Sequence, residues 1–243
     1  YYFFQDVAIF GHQVSFQPWG DRDGDEKEMG SERRGGEEGG KGEAKKACVR
    51  ARVRVRVRVI CMVRVNETAT RNPQTATVGW LIFSIFFGAT YLEAQKLHQK
   101  IEYTGIEAYP VAAEDVLKMN YVTELDAESE KDIFLKMHES DWNQREILSP
   151  DFSLEKQNIK FQEITDTNQY DLIYFDAFAP DKQPDMWNQS VFDYLYANTA
   201  PGGILTTYCA KGVVRRMMQQ SGYRVERLPG PPGKREMLRA VKL

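Results

Sequence analysis

The chain has 243 residues, 42% of them hydrophobic, and a net charge of −3, a length that holds one domain with a tail and excludes two full domains. The acidic average argues against a nucleic-acid binder, but it hides a split: residues 89–210 carry 22 acids against 9 Lys and Arg, whereas 211–243 carry 9 basic residues against 2 acids, so a local basic face stays open. Cys48, Cys61 and Cys209 form no CxxC pair and have no histidines near them in the sequence, so neither a metal site nor a disulfide framework is expected, and a reducing, cytoplasmic compartment is.

The N-terminal "YYFFQDVAIF" has no initiator Met and no basic region, and does not read as a signal peptide. From Gly20 to Lys46, 8 of 27 residues are Gly and 16 are charged, too little apolar surface to offset the entropy of folding, so disorder is expected there. "RARVRVRVRV", Arg50 to Val59, alternates with the period of a strand, Arg on one face and Val on the other. It fits a basic ribbon on RNA phosphates or a lone edge strand. A two-residue period is also a six-nucleotide period, and this favours a simple repeat translated in an unintended frame. Residues 1–75 are therefore set apart as a low-complexity segment from a folded domain spanning 76–243. Val78 to Leu92 is apolar but short for a membrane span, and buried core is expected instead.

After about Ala89 helices and strands alternate. "TYLEAQKLHQK" has helical spacing, "IEYTGIEAYP" reads as a strand ending at Glu107, and "VAAEDVLKMNYV" reads as a second helix. A strand is expected in "DFSLEKQNIKF", a stronger one in "YDLIYF", and a helix in "MWNQSVFDYLYANT". "PGGILTTYCA" is a turn leading into a buried strand, and "GVVRRMMQQSGY" is a helix closed by Gly222. "YRVERLP" and "EMLRAVKL" should form an antiparallel pair at the sheet edge. The alternation predicts an α/β fold with a mostly parallel, doubly wound sheet.

In such a sheet an acid at the end of the second strand can bind the ribose hydroxyls of a nucleotide-like cofactor. Glu107 has that place, and a solvated strand-end acid fits it equally. Asp176 ends a later strand, and Phe178 offers a face on which a base or planar cofactor could stack.

"DLIYFDAFAPDKQPDMW", "PGGILTTYCAKGVVRR" and "LPGPPGKREM", in this order, resemble the MnmC-like methyltransferases of the tRNA 5-methylaminomethyl-2-thiouridine pathway, in their stand-alone form. The resemblance runs from about Thr90 to the C-terminus. It implies a Rossmann-like sheet of the class I methyltransferases, with S-adenosyl-L-methionine as cofactor and tRNA as partner. The methyl group would go to the amine of 5-aminomethyl-2-thiouridine at the wobble position. It also implies that Glu107, in "YTGIEAYP", lies on the cofactor ribose and that Asn158, in "KQNI", lies on the adenine side. Asp176 and Phe178 then fall at the target amine, with Asp176 accepting or orienting the amine proton. Lys211, Arg215, Arg216, Lys234 and Arg235 could hold phosphates, and solvated surface charge describes these five as well.

One departure stands against the resemblance. The family opens with a strand and a glycine-rich loop, yet "GWLIFSIFFGA", Gly79 to Ala89, occupies that place, and its aromatics cannot admit a close backbone approach. The first strand and its loop are thus expected to be missing or replaced. The departure keeps a degenerate, non-catalytic RNA-binding protein as an alternative. An aminopropyltransferase-like enzyme is another, which the basic C-terminal stretch disfavours.

Overall fold

The computed structural model describes residues 56–64, 73–110, 128–165, 169–230 and 235–243. The expected helix at 111–122, the disorder expected at 20–46 and Lys234 lie outside these residues.

Eight strands form one sheet. They are β1 (Arg56–Arg64), β2 (Lys100–Ile106), β3 (Arg145–Ser149), β4 (Phe152–Gln157), β5 (Tyr170–Ala177), β6 (Thr199–Thr207), β7 (Arg224–Pro229) and β8 (Glu236–Val241). Their spatial order is β3-β4-β2-β1-β5-β6-β8-β7. The five strands from β4 to β6 run parallel. Antiparallel β3 closes one edge, and the β7–β8 hairpin, expected from the sequence, closes the other with β8 antiparallel to β6.

β1 corrects the sequence reading. The first-strand position is filled, and by the end of the Arg/Val repeat, whose residues 56–59 belong to β1 at the centre of the sheet and not to a lone edge strand. Residues 56–64, set apart from the folded domain in the sequence reading, thus pair within its sheet. The reason lies in five residues. A parallel strand at the centre of a sheet is covered on both faces and needs a continuous apolar run. Alternation breaks into "VICMV" at 59–63, and Ile60, Cys61 and Met62 are all buried.

The helices are α1 (Pro73–Leu97), α2 (Lys131–Glu139), α3 (Gln189–Asn198) and α4 (Gly212–Ser221). "GWLIFSIFFGA" is helix interior, part of the 25-residue α1, so the segment read as standing in for a loop does not form one. Among the described residues no helix is long and apolar enough to cross a membrane. α1 ends at Leu97, earlier than expected, because His98 turns left-handed with φ 53° and its N–H donates to Gln95 O at 3.3 Å. At the other end of the chain Gly222, with φ 111°, closes α4 as the sequence predicts.

Side chains alternate across each strand, so the sheet separates two cores. Cys61, Tyr103 and Tyr174 face Phe83, Phe86 and Phe87 of α1 together with Phe134 and Met137 of α2. Ile60, Met62, Ile173 and Phe175 face Phe192 and Leu195 of α3 and Val214 and Met218 of α4.

Candidate functional site

The five parallel strands present their carboxyl ends at one edge. β2 and β4 lie on one side of β1, and β5 and β6 on the other, so the strand order reverses there and leaves the crevice where open α/β sheets bind ligands. Glu107 immediately follows β2 and Asp176 is the penultimate residue of β5. The two acids therefore flank the end of β1, where Val63 pairs with Asp176 and Met62 with Ile106.

Glu107 is buried. Its Oε1 accepts the Tyr109 N–H at 2.9 Å, and its own N–H donates to Gln157 O at 3.1 Å, just past the β2–β4 ladder. Asn158 is exposed and braces this turn: its Nδ2 donates to Glu107 O at 3.0 Å and to Ala108 O at 3.2 Å. Its backbone N–H donates to Asn143 Oδ1 at 3.0 Å. The amide that the resemblance puts on the adenine side is thus spent on orienting the turn that carries Glu107.

Asp176 is half-buried and lines a small cleft with Phe86, Tyr174, Thr206, Thr207 and Tyr208. Phe86 stacks on Tyr174 at 4.5 Å and on Tyr208 at 6.0 Å, so α1 reaches the cleft that Asp176 lines. Thr206 lies opposite Tyr174 across β5 and β6. Its buried Oγ1 has no hydrogen-bond partner among the protein atoms, a residue the sequence reading missed because "LTT" looks like any buried strand.

Cys61 registers both acids. Burial raises its thiol pKa most, and the fields of Asp176 and Glu107 push it up further. Two carboxylates thus act on one point inside β1.

Phe178 follows β5 and is half-buried. Lys211 immediately precedes α4, and its Nζ pairs with Asp181 Oδ2 at 2.8 Å. Arg215 and Arg216 lie one turn into α4, the first half-buried and the second exposed. Arg235 precedes β8, and because β8 runs antiparallel to β6 its start lies at the carboxyl end of β6. The fold thus gathers the described candidates along one edge. Among the described residues no cluster of His, Cys, Asp and Glu could hold a metal.

Residues 146–243 match a family described as S-adenosyl-L-methionine-dependent methyltransferase. The crystal structure of MNMC2 from Aquifex aeolicus is similar in fold, with a TM-score of 0.50 and 14% identity over 76% of this chain and 53% of that one. The N-methyltransferase NodS from Bradyrhizobium japonicum WM9 aligns at TM-score 0.39 and 9% identity, over 76% and 84% of the two chains. The fold is that of the class I S-adenosyl-L-methionine-dependent methyltransferases, and S-adenosyl-L-methionine is the cofactor of this class. The MnmC-like resemblance read from the motifs is matched at the level of fold, and this chain spans about half the length of MNMC2.

The described residues suit that cofactor in part. A buried acid at the end of β2 fits a ribose diol, and the orphaned Thr206 hydroxyl beside Asp176 fits a polar group entering the cleft. The link from β1 to α1 does not match the family's loop, since no glycine occurs between Gly42 and Gly79.

Proposed function

We propose that the chain transfers a methyl group from S-adenosyl-L-methionine to the amine of 5-aminomethyl-2-thiouridine at the wobble position of tRNA. The observation that carries this is the pair of carboxylates, Glu107 and Asp176, on the two sides of β1 at the strand-order reversal, with "DAFAP" leading out of the second. The cofactor, when bound, supplies an electrophilic methyl group. Glu107 holds a ribose diol, in a turn braced by Asn158. An amine attacks only through a free lone pair, so Asp176 takes or orients its proton, and alignment of the reacting atoms is the larger contribution. Thr206 offers a second polar contact in the same cleft. Phe178 stacks on the extruded base, and Lys211, Arg215, Arg216, Lys234 and Arg235 hold phosphates. The domain division reads as a sheet-forming unit from about residue 56 onward, acting in the cytoplasm.

The test uses tRNA carrying 5-aminomethyl-2-thiouridine, tRNA with an unmodified wobble uridine, and isotopically labelled cofactor. In a chain whose β1–α1 link carries a glycine loop, label should enter only the first RNA, in its wobble nucleoside. Cofactor binding without transfer to either RNA would overturn the reading. A second reading, a non-catalytic RNA-binding protein, draws on the glycine-free β1–α1 link and on Phe86 in the crevice. It predicts RNA binding with no cofactor binding.

A further inference from the structure

Among the described residues no strand pairs with Phe178 beyond the end of β5, and a backbone group leaving a sheet needs a partner. Both partners here are side chains from the same short stretch. The Phe178 N–H donates to Gln183 Oε1 at 3.1 Å, and the Phe178 carbonyl accepts the Trp187 indole Nε1–H at 2.6 Å. Both clamping residues are buried.

Each is fixed in turn. The Trp187 ring sits edge-on to Phe175 at 5.1 Å and tilted against Phe192 at 6.3 Å, in the core between β5 and α3. Gln183 donates its N–H to Ala179 O at 3.1 Å and accepts the Met186 N–H at 3.1 Å. Pro184 starts a short 3₁₀ turn at Pro184–Met186, which Trp187 closes by donating its N–H to Pro184 O at 2.9 Å. Asn188 then caps α3 by accepting the Val191 N–H at 3.1 Å. Seven residues, 182–188, thus return the chain to the strand end and grip one residue on both sides.

We propose that Gln183 and Trp187 are positioning residues that fix the backbone at Phe178, and so set the direction of its ring and of the turn after Asp176, for the substrate base. The inference rests on the proposed function for the identity of that base. It assigns a role to two residues that would otherwise be packing and turn chemistry. Loss of either bond frees rotation about the Phe178 backbone torsions, and the ring can no longer present a single face to a base.

The test has two arms on the full chain. Trp187→Phe keeps an aromatic ring in the core while removing the N–H donor and one fused ring, and unchanged exchange in β5 and α3 separates loss of the donor from loss of packing. Gln183→Leu removes the acceptor, and Gln183→Glu restores it. In the first arm, amide hydrogen exchange is followed over 178–183. The Trp187→Phe and Gln183→Leu chains should exchange there about tenfold faster, with exchange in β5 and α3 unchanged. In the second arm, an anticodon stem-loop with 5-aminomethyl-2-thiouridine is compared with one carrying uridine. Both variants should lose about tenfold of the wild-type preference for the modified stem-loop while binding the uridine stem-loop as before, and Gln183→Glu should retain it. A purely structural role would change both affinities together or neither. Unchanged loop exchange in both variants, or faster exchange in β5 and α3 to the same degree, would overturn the clamp. A wild-type chain without preference for the modified stem-loop would instead overturn the substrate reading and the positioning role together, and the exchange arm would still decide the clamp.

Discussion

Glu107 and Asp176 lie at the ends of the strands on either side of β1, in the same crevice, yet their surroundings differ. Glu107 is buried and hydrogen-bonded to its own turn, whereas Asp176 is half-buried beside an unpartnered hydroxyl. In a chain whose β1–α1 link carries a glycine loop, Glu107→Ala should weaken cofactor binding about tenfold or more, the loss of one or two charge-assisted hydrogen bonds. Asp176→Ala should abolish transfer and leave cofactor affinity within a few-fold. Titration calorimetry and initial rates on both variants separate the roles, and an effect confined to cofactor binding in both would show the division to be wrong. Cys61 allows a test that needs no ligand. Its thiol is buried and its pKa is raised by burial and by the two acids, whereas Cys209 is partly exposed. Because the thiolate is the reactive form, alkylation at pH 8 followed by peptide mapping should modify Cys209 and spare Cys61 until the chain is unfolded. Rapid modification of Cys61 in the folded chain would contradict the central placement of β1.

Among the elements, α2 depends most on its surroundings. Its last turn carries His138, whose Nε2 lies 3.5 Å from Ser84 Oγ of α1. The His138 carbonyl accepts a hydrogen bond at 2.8 Å from the buried Lys156 Nζ, which also lies 5.0 Å over the Trp142 ring. Burial, and then the Lys156 charge, lower the His138 pKa to about 3. The folded value is below the unfolded one, so the unfolded chain binds the proton first. The stability this group contributes is complete above about pH 6.5 and is lost as pH falls from there towards 3. The slope should be on the order of 1 kcal/mol per pH unit. Urea unfolding of the wild type and of His138→Gln between pH 7 and 4 checks this, and the variant should lack that part of the slope. Parallel slopes would mean that the imidazole is not shielded. α2 itself was not legible. Its apolar residues Ile133, Phe134 and Met137 occupy a nine-residue segment between charged ones, and only packing against α1 and the sheet makes them core. β3 was hidden for a similar reason, since "REILS" is largely exposed and is a strand only because β4 offers it an edge.

At the scale of the whole molecule, the missing glycine loop is the feature with the largest expected effect. α1 enters the crevice with Phe86 where the family has small residues, and the link from β1 contains no glycine to let backbone N–H groups approach a ligand. Losing two hydrogen bonds to a charged group would cost on the order of a hundredfold in affinity or more. The chain should therefore bind S-adenosyl-L-methionine very weakly. The comparison is calorimetric titration of this chain against one with a strand, glycine-rich loop and helix start of the family type. Equal micromolar binding by both would show that α1 and its link are a working substitute, and would remove the ground for a degenerate protein.

Several features were determined by the sequence alone, because they depend on neighbours within a few residues. The alternation from β4 onward, Gly222 as the stop of α4, the strand in "YDLIYF" and the acid after β2 all follow from local propensity, capping and period. Other features were decided only by tertiary structure. Local rules see the Arg/Val repeat as an isolated ribbon, whereas pairing with β2 and β5 makes its apolar end the centre of the sheet. Antiparallel β8 carries Arg235 to the edge that holds Asp176, although 59 positions separate them in sequence. The clamp on Phe178 needs the Trp187 ring anchored against α3. Each of these rests on contacts between distant segments, whose partners no local pattern names, and their energy appears only when the sheet has closed around β1.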